Sequence, residues 1–246
     1  MILFADQPKI CDLRKLICEN NIYACKIACL FESYGLKYDF AEFWVQYENN
    51  MPVTAISKFY GDMTVFATDK TDYDELKEFL LITGFSSVLS EREIFPESYS
   101  GIVMEKFSAN QDITVDVASD LNEVYRLLKS CESDTFEVPC YEDFILDISH
   151  KIRHGTALCV GVHENGKLVS TAMTVAQSKN CGIIGAVATD KNYRHSGYGG
   201  ICVNALCSLL NDRKIFIMRN EFENEHFYIS LGFKNKGKFY IKRRMK

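Results

Sequence analysis

The chain of 246 residues has only four prolines, one tryptophan, no CxxC pair among its ten cysteines, and no apolar run of the ~18 residues a membrane span requires. Each absence excludes something. Without a CxxC pair or a Cys/His tetrad at zinc-finger spacing, the ten thiols offer no metal site, and they read as reduced core or half-buried groups. The start, "MILFADQPKICDLRK", lacks the basic segment and long apolar stretch of a signal peptide, so a cytoplasmic protein with no membrane partner is expected. Positive charge is also short: the net charge of -5 gives no general attraction to nucleic acid, although residues 234–246, "KNKGKFYIKRRMK", are locally basic. What is present, 47% hydrophobic and 25% charged residues, suits a globular protein with a real core. The length allows one large domain or two small ones, and monomer or homodimer stays open.

Read along the chain, the pattern is α/β, with helices alternating with short runs of strands. "KICDLRKLICENNIYACKIACLFESYG" has helical apolar spacing, with Leu13, Leu16, Ile17, Ile22, Cys25, Cys29 and Leu30 close to one stripe. Strands are expected around Trp44, over 53–59 and over 63–66, then a helix in "TDYDELKEFLLITGF" capped by Thr71 or Asp72 and ended by Gly84. "LSEREIFPESYSG" reads as a linker, which divides the chain into 1–100 and 101–246. In the second part "DLNEVYRLLKSC" and "CYEDFILDISHKIRHG" are amphipathic helices. "TALCVGVH", "LVSTAMTVAQ" and "CGIIGAVAT" then form a meander whose first turn holds Asn165-Gly166, a strong hairpin signal. A loop, a helix over 199–210, the strand "KIFIMR", a helix within "NEFENEHFYISLG" and the strand "KGKFYIKRR" complete it. Both parts share the coarse order helix, hairpin, strand, helix: a tandem with one degenerate copy, or the ordinary likeness of α/β chains.

The loop Arg194-His195-Ser196-Gly197-Tyr198-Gly199-Gly200 carries the chemistry. Amides at a helix N-terminus have no intrahelical partner and carry partial positive charge, and residues without a Cβ let phosphate oxygens approach them. Arg194 adds a charge, or braces the loop. A Walker loop would need Gly-Lys-Ser/Thr, and "GYGGIC" has no lysine. A Rossmann fingerprint would need a third glycine where Cys202 stands, at the start of a βαβ unit and not after a meander. The third pattern, Arg/Gln-x-x-Gly-x-Gly/Ala, is met by Arg194, Gly197 and Gly199. Some thirty residues on, "FYISLGF" sets Tyr228 shortly before Gly232-Phe233.

In these motifs, and in the order of elements over residues 113–246, the second part resembles the GNAT superfamily of acyl-CoA N-acyltransferases. The first part resembles it only as a degenerate tandem copy would. The resemblance implies an acyl-CoA N-acyltransferase-like fold with a mixed sheet, acetyl-CoA as donor, a primary amine as acceptor, and no metal. It implies that backbone amides of His195, Ser196, Gly197, Tyr198, Gly199 and Gly200, with Arg194, bind the pyrophosphate. Ala186, Val187, Ala188 and Thr189 would meet the pantetheine arm by their main chain, as an added strand does. An amide near Val187 or Ala188 would hold the oxyanion.

Tyr228 resembles the family's general acid, a phenol whose proton goes to the CoA sulfur; its plainer reading is a half-buried helix tyrosine. The base is unnamed: Glu132, Glu137, Glu142 and Asp143 are candidates, and water-mediated deprotonation needs none of them. His195 is expected to offer its backbone, and His226 to lie on the surface. The basic end would meet the 3′-phosphate of CoA or an acidic acceptor, or would be an edge strand whose charges discourage aggregation. The helix after the loop, polar only at Asn204 and Ser208, is expected to be covered on most sides. Two other readings stay open: a CoA-binding regulatory or scaffold protein without turnover, and, on Gly197-x-Gly199 alone, a dinucleotide-dependent oxidoreductase.

Overall fold

Among the described residues twelve strands build one mixed sheet with helices on both faces. This computed structural model describes residues 1–107, 116–117, 120–133 and 135–244. Residue 113, where the family-like order was expected to begin, and the basic residues' last two positions, 245–246, lie outside the described residues.

The first part contains β1 (Ile2–Phe4), α1 (Ile10–Ile17), α2 (Ile22–Tyr34), β2 (Ala41–Glu48), β3 (Met51–Phe59), β4 (Asp62–Ala67), α3 (Tyr73–Thr83) and β5 (Ser87–Ser90), and β6 (Tyr99–Phe107) begins at its end and runs into the second. The second contains β7 (Asp116–Val117), α4 (Leu121–Ser130), α5 (Tyr141–Arg153), β8 (Cys159–Glu164), β9 (Lys167–Gln177), β10 (Cys181–Thr189), α6 (Tyr198–Leu209), β11 (Lys214–Asn220), α7 (Glu225–Ser230) and β12 (Lys234–Arg243).

The apolar stripe expected to run through residues 9–35 is two helices. The chain breaks at residues 18–21, and the Asn21 side chain caps α2 by accepting from the Tyr23 amide at 2.8 Å. β1 and β5 were not expected. β5 begins before the segment read as a linker and ends inside it, a short strand whose buried Val88 and Leu89 pair with β4 and β12.

Sheet order is β1-β2-β3-β4-β5-β12-β6-β11-β10-β9-β8-β7. One strand joins the two parts. β6 pairs with β11 and β12 of the second part, while β12, the last strand, lies between β6 and β5 of the first part. β12 therefore carries the first part's strands onto the second part's sheet, beside an antiparallel β6. β12 is thus no edge strand. Its charges are tolerated in the middle of the sheet because alternate residues Phe239 and Ile241 face the core and the lysines extend to solvent.

Alternation along the strands sorts the helices. Phe43, Val45, Ile183, Phe216 and Phe239 join the core under α1 and α2, and α4 and α5 cover the same face farther along. Ile184, Ile215, Ile217 and Met104 pack on α6 and α7, while Ile56, Met63 and Val65 pack on α3. Helix α6 is less enclosed than its composition suggests, leaving Ile201 and Leu209 exposed on its outer side. None of the ten cysteines is in a disulfide, and six of them are buried. Among the described residues no helix is long and apolar enough to cross a membrane.

Candidate active site

The site begins where two parallel strands part. β10 and β11 pair from Cys181/Lys214 to Ile184/Ile217 and no farther, although β11 stays on β6 as far as Asn220 and β10 stays on β9 as far as Thr189. A bulge sets the divergence. Against β9 the register jumps between Gly185 and Ala188, with Ala186 at φ +47°, so Ala186 and Val187 stand out of the ladder. An alanine in the left-handed region costs about 1–2 kcal/mol, a strain the packed strands on either side impose.

The loop after β10 is held by its own side chains. Asp190 accepts from the Asn192 amide at 3.0 Å and pairs with Lys167 at 2.6 Å, and the Lys167 ammonium holds the Asp190 carboxyl below its usual range. Arg194 is a brace: its Nε donates to the Thr189 carbonyl at 3.2 Å. His195 and Gly197 both adopt the left-handed conformation, φ +63° and +84°, which turns the chain into α6. Gly197 is the N-cap of α6 and supplies no side-chain acceptor, and the first turn holds no acid. The leading amides of α6 are therefore left for an external anion. Tyr198 closes one side by donating to Glu164 at 2.6 Å, which raises its own phenol pKa.

The corresponding helix of the first half is the opposite case. Asp72 caps α3, accepting from the amides of Asp74 and Glu75 at 3.1 Å each, and both of those residues are acidic. A carboxylate of the chain occupies the place of an anion there. Fit to a pyrophosphate thus belongs to the second half alone.

A cleft of about 1040 Å³ runs through the parting of β10 and β11. It gathers Ala186, Val187, Ala188, Thr189, Arg194, His195, Gly197, Tyr198, Gly199, Gly200 and Tyr228; Ser196 is on the loop but does not line it. Tyr228, on α7, is 9% exposed, and its hydroxyl has no hydrogen-bond partner among the described residues. Burial pushes its pKa up to about 12.

Of the four acids considered as bases, none lines the cleft. Glu132 is tied to Lys129 at 2.7 Å and to the Val138 amide at 3.0 Å. The wall it was expected to join is made instead by Cys131, Ser133, Thr135 and Phe136 between α4 and α5. Among the described residues Glu223 is the acid that faces the cleft, accepting from Thr135 Oγ1 at 3.1 Å. His226 is exposed.

Five further residues were not singled out by the sequence. The side chain of Arg219 is 3% exposed, and it donates to the carbonyls of Asn220 and Glu221, to Glu225 Oε1 at 2.8 Å and to Met104 Sδ, which fixes the turn from β11 into α7. Tyr99 of β6 and the Phe239, Ile241 and Arg243 side chains of β12 form the far wall. The pairing of β12 with β6 brings them there.

The sequence profile of the acetyltransferase (GNAT) family matches residues 121–233. No curated protein matches the chain. Among solved structures, a GCN5-related N-acetyltransferase from Sphaerobacter thermophilus is similar over 99% of this chain and 95% of its own, at 11% identity and a TM-score of 0.61. A tandem GNAT protein from the clavulanic acid biosynthesis pathway is similar over 99% and 98%, at 10% identity and a TM-score of 0.58. Saccharomyces cerevisiae N-myristoyltransferase, solved with bound myristoyl-CoA, is similar over 98% of this chain and 78% of its own, at 12% identity and a TM-score of 0.60. At such identities the likeness is one of fold, and it extends across both halves. Residues 121–233 thus match the GNAT acetyltransferase family, and the chain has the acyl-CoA N-acyltransferase fold.

Proposed function

We propose that the chain is an N-acetyltransferase that moves an acetyl group from acetyl-CoA directly to a primary amine. The observation that carries this reading is the conjunction of an uncapped, acid-free α6 N-terminus with strand amides freed at Ala186 and Val187, both opening on one cleft. Acetyl-CoA supplies an activated thioester carbonyl. The chain's own groups then have separate tasks. Backbone amides of the loop from His195 to Gly200 take the pyrophosphate, and the extended edge of β10 takes the pantetheine amides. An amide at Val187 or Ala188 stabilises the charge that grows on the carbonyl oxygen as the amine adds. Tyr228, neutral and otherwise uncommitted, donates a proton to the departing sulfur.

Titration calorimetry with acetyl-CoA, followed by thiol release with a panel of amines, tests the proposal. Saturable binding and amine-dependent thiol release are expected; absence of CoA binding would sink it.

A further inference from the structure

The far wall of the cleft carries one cation that nothing in the described chain uses. Among the described residues four basic side chains line the cavity, and the two other arginines have partners. Arg194 braces the end of β10, His195 belongs to the α6 loop, and Arg219 is held by Glu225 and two carbonyls. Arg243 has neither an ion pair nor a hydrogen bond among the described residues.

Its place in the sheet separates it from the donor's phosphates. From β10 the order runs β11, β6, β12, three strand intervals of about 4.8 Å each, or roughly 14 Å. Phe239, Ile241 and Arg243 share one side of β12 by alternation, and Tyr99 lies directly opposite Ile241 on β6. Phe239 and Ile241 pack with the α1/α2 core, so this row faces away from α6, whose N-terminus defines the pyrophosphate end. Across the row stands Glu223, among the described residues the one carboxylate that lines the cleft. The Tyr99 phenol feels both charges: burial raises its pKa, Glu223 raises it further, and Arg243 opposes the rise. The acceptor arm thus offers an aromatic floor, a carboxylate suited to an incoming ammonium and a guanidinium suited to an oxyanion.

From this we infer that the acceptor is an amine that also bears an anionic oxyacid group, carboxylate or phosphate, and that Arg243 is the residue that selects it. The inference rests on the acyl-CoA reading of the cleft, and it narrows the basic end of the chain from two possible roles to one. A guanidinium binds either oxyacid bidentately, so the two are separated by assay and not by shape.

The test uses the full chain with acetyl-CoA and matched pairs of amines: α-, β- and γ-amino acids against their carboxamides, and O-phosphoethanolamine against ethanolamine. Amino-acid carboxamides have the lower amine pKa and so more free base at a given pH; a preference for the acids cannot arise from easier deprotonation. Thiol release is expected to be about tenfold or more faster, in kcat/KM, for the anionic member of at least one pair. Arg243→Gln is expected to abolish that preference by raising KM for the anionic amine, with kcat and the calorimetric affinity for acetyl-CoA unchanged, and Arg243→Lys to restore part of it. The unchanged donor affinity also shows that the variant is folded. The proposal is overturned if neutral amines match their anionic partners, if no anionic amine accelerates thiol release while acetyl-CoA binds, or if Arg243→Gln weakens acetyl-CoA instead. Failure of the wild-type chain to bind acetyl-CoA is a different result, and it overturns the acyl-CoA reading itself.

Discussion

Arg219 on β11 and Glu225 in the first turn of α7 form an ion pair at 2.8 Å whose two ends differ in setting: the arginine side chain is 3% exposed, the glutamate 42%. The guanidinium is shared with the carbonyls of Asn220 and Glu221, so it ties together the last residue of β11, the turn and the helix that carries Tyr228. Replacing Arg219 by Met leaves those half-buried carbonyls without this donor. A loss of about 1–2 kcal/mol in urea unfolding is expected, because the abandoned Glu225 carboxylate stays in contact with water. Arg219→Lys should recover part of the stability but not the fork of contacts, and it should lower kcat more than it changes acetyl-CoA affinity.

Tyr228→Phe separates the acid from its helix. Acetyl-CoA affinity should persist while kcat falls by about 10²-fold or more, the range of a lost general acid. Retained binding with unchanged turnover would instead favour a cleft that binds CoA without using this proton.

The raised pKa of Tyr228 gives a signed pH effect. Its folded value of about 12 exceeds the unfolded value of 10.0, so the folded chain holds the proton more tightly. That stability is fully present below pH 10.0 and is lost as pH climbs toward about 12. Between those values, wild-type stability should fall more steeply with pH than that of Tyr228→Phe, and tyrosinate absorbance from this residue should be absent at pH 10.0. Parallel curves would show that the phenol is not buried in solution.

Much of this site could be read from the sequence because its signals are local. Glycines at 197, 199 and 200 after an apolar strand mark an uncapped helix start, and the Asn165-Gly166 turn fixes the meander that leads there. The bulge at Ala186 and Val187 left no mark, since neither residue is a turn former; packing on β9 and β11 imposes it. The far wall was illegible for a different reason. Arg243 is an exposed basic residue, and only the place of β12 between β5 and β6, set by pairings more than a hundred residues apart, brings it to the cleft. Arg219 looked like the polar end of a short strand because nothing in "KIFIMRN" announces that two carbonyls and a glutamate turn back onto it. None of the acids chosen by sequence lines the cleft, and Glu132 pairs with Lys129 instead.

Two glycines of the loop should respond differently. Gly197 has a φ of +84° with open space around its missing Cβ, so Gly197→Ala is strained by backbone alone, about 1 kcal/mol, and Gly197→Asn less. At Gly199 a Cβ would come within 3.4 Å of Thr189 Oγ1, a contact that the threonine can relieve by a small shift. Gly199→Ala should therefore be mild. Gly199→Glu should cost about tenfold or more in acetyl-CoA affinity, measured by calorimetry, because it places a carboxylate where the α6 amides await an anion.

The first half provides the control for that substitution. Asp72 already does at α3 what Gly199→Glu would do at α6, and Asp74 and Glu75 add negative charge to the same turn. Acetyl-CoA should accordingly bind at a single site per chain. Asp72→Ala removes a cap and should lower stability by about 1 kcal/mol in urea unfolding, yet Asp74 and Glu75 still repel an anion there, so no second acetyl-CoA site should appear. If calorimetry gave two equivalents in the wild type, with one of them lost in Gly199→Glu and the other kept, the first half would be a donor site in its own right, and the contrast drawn between the two helix N-termini would be wrong.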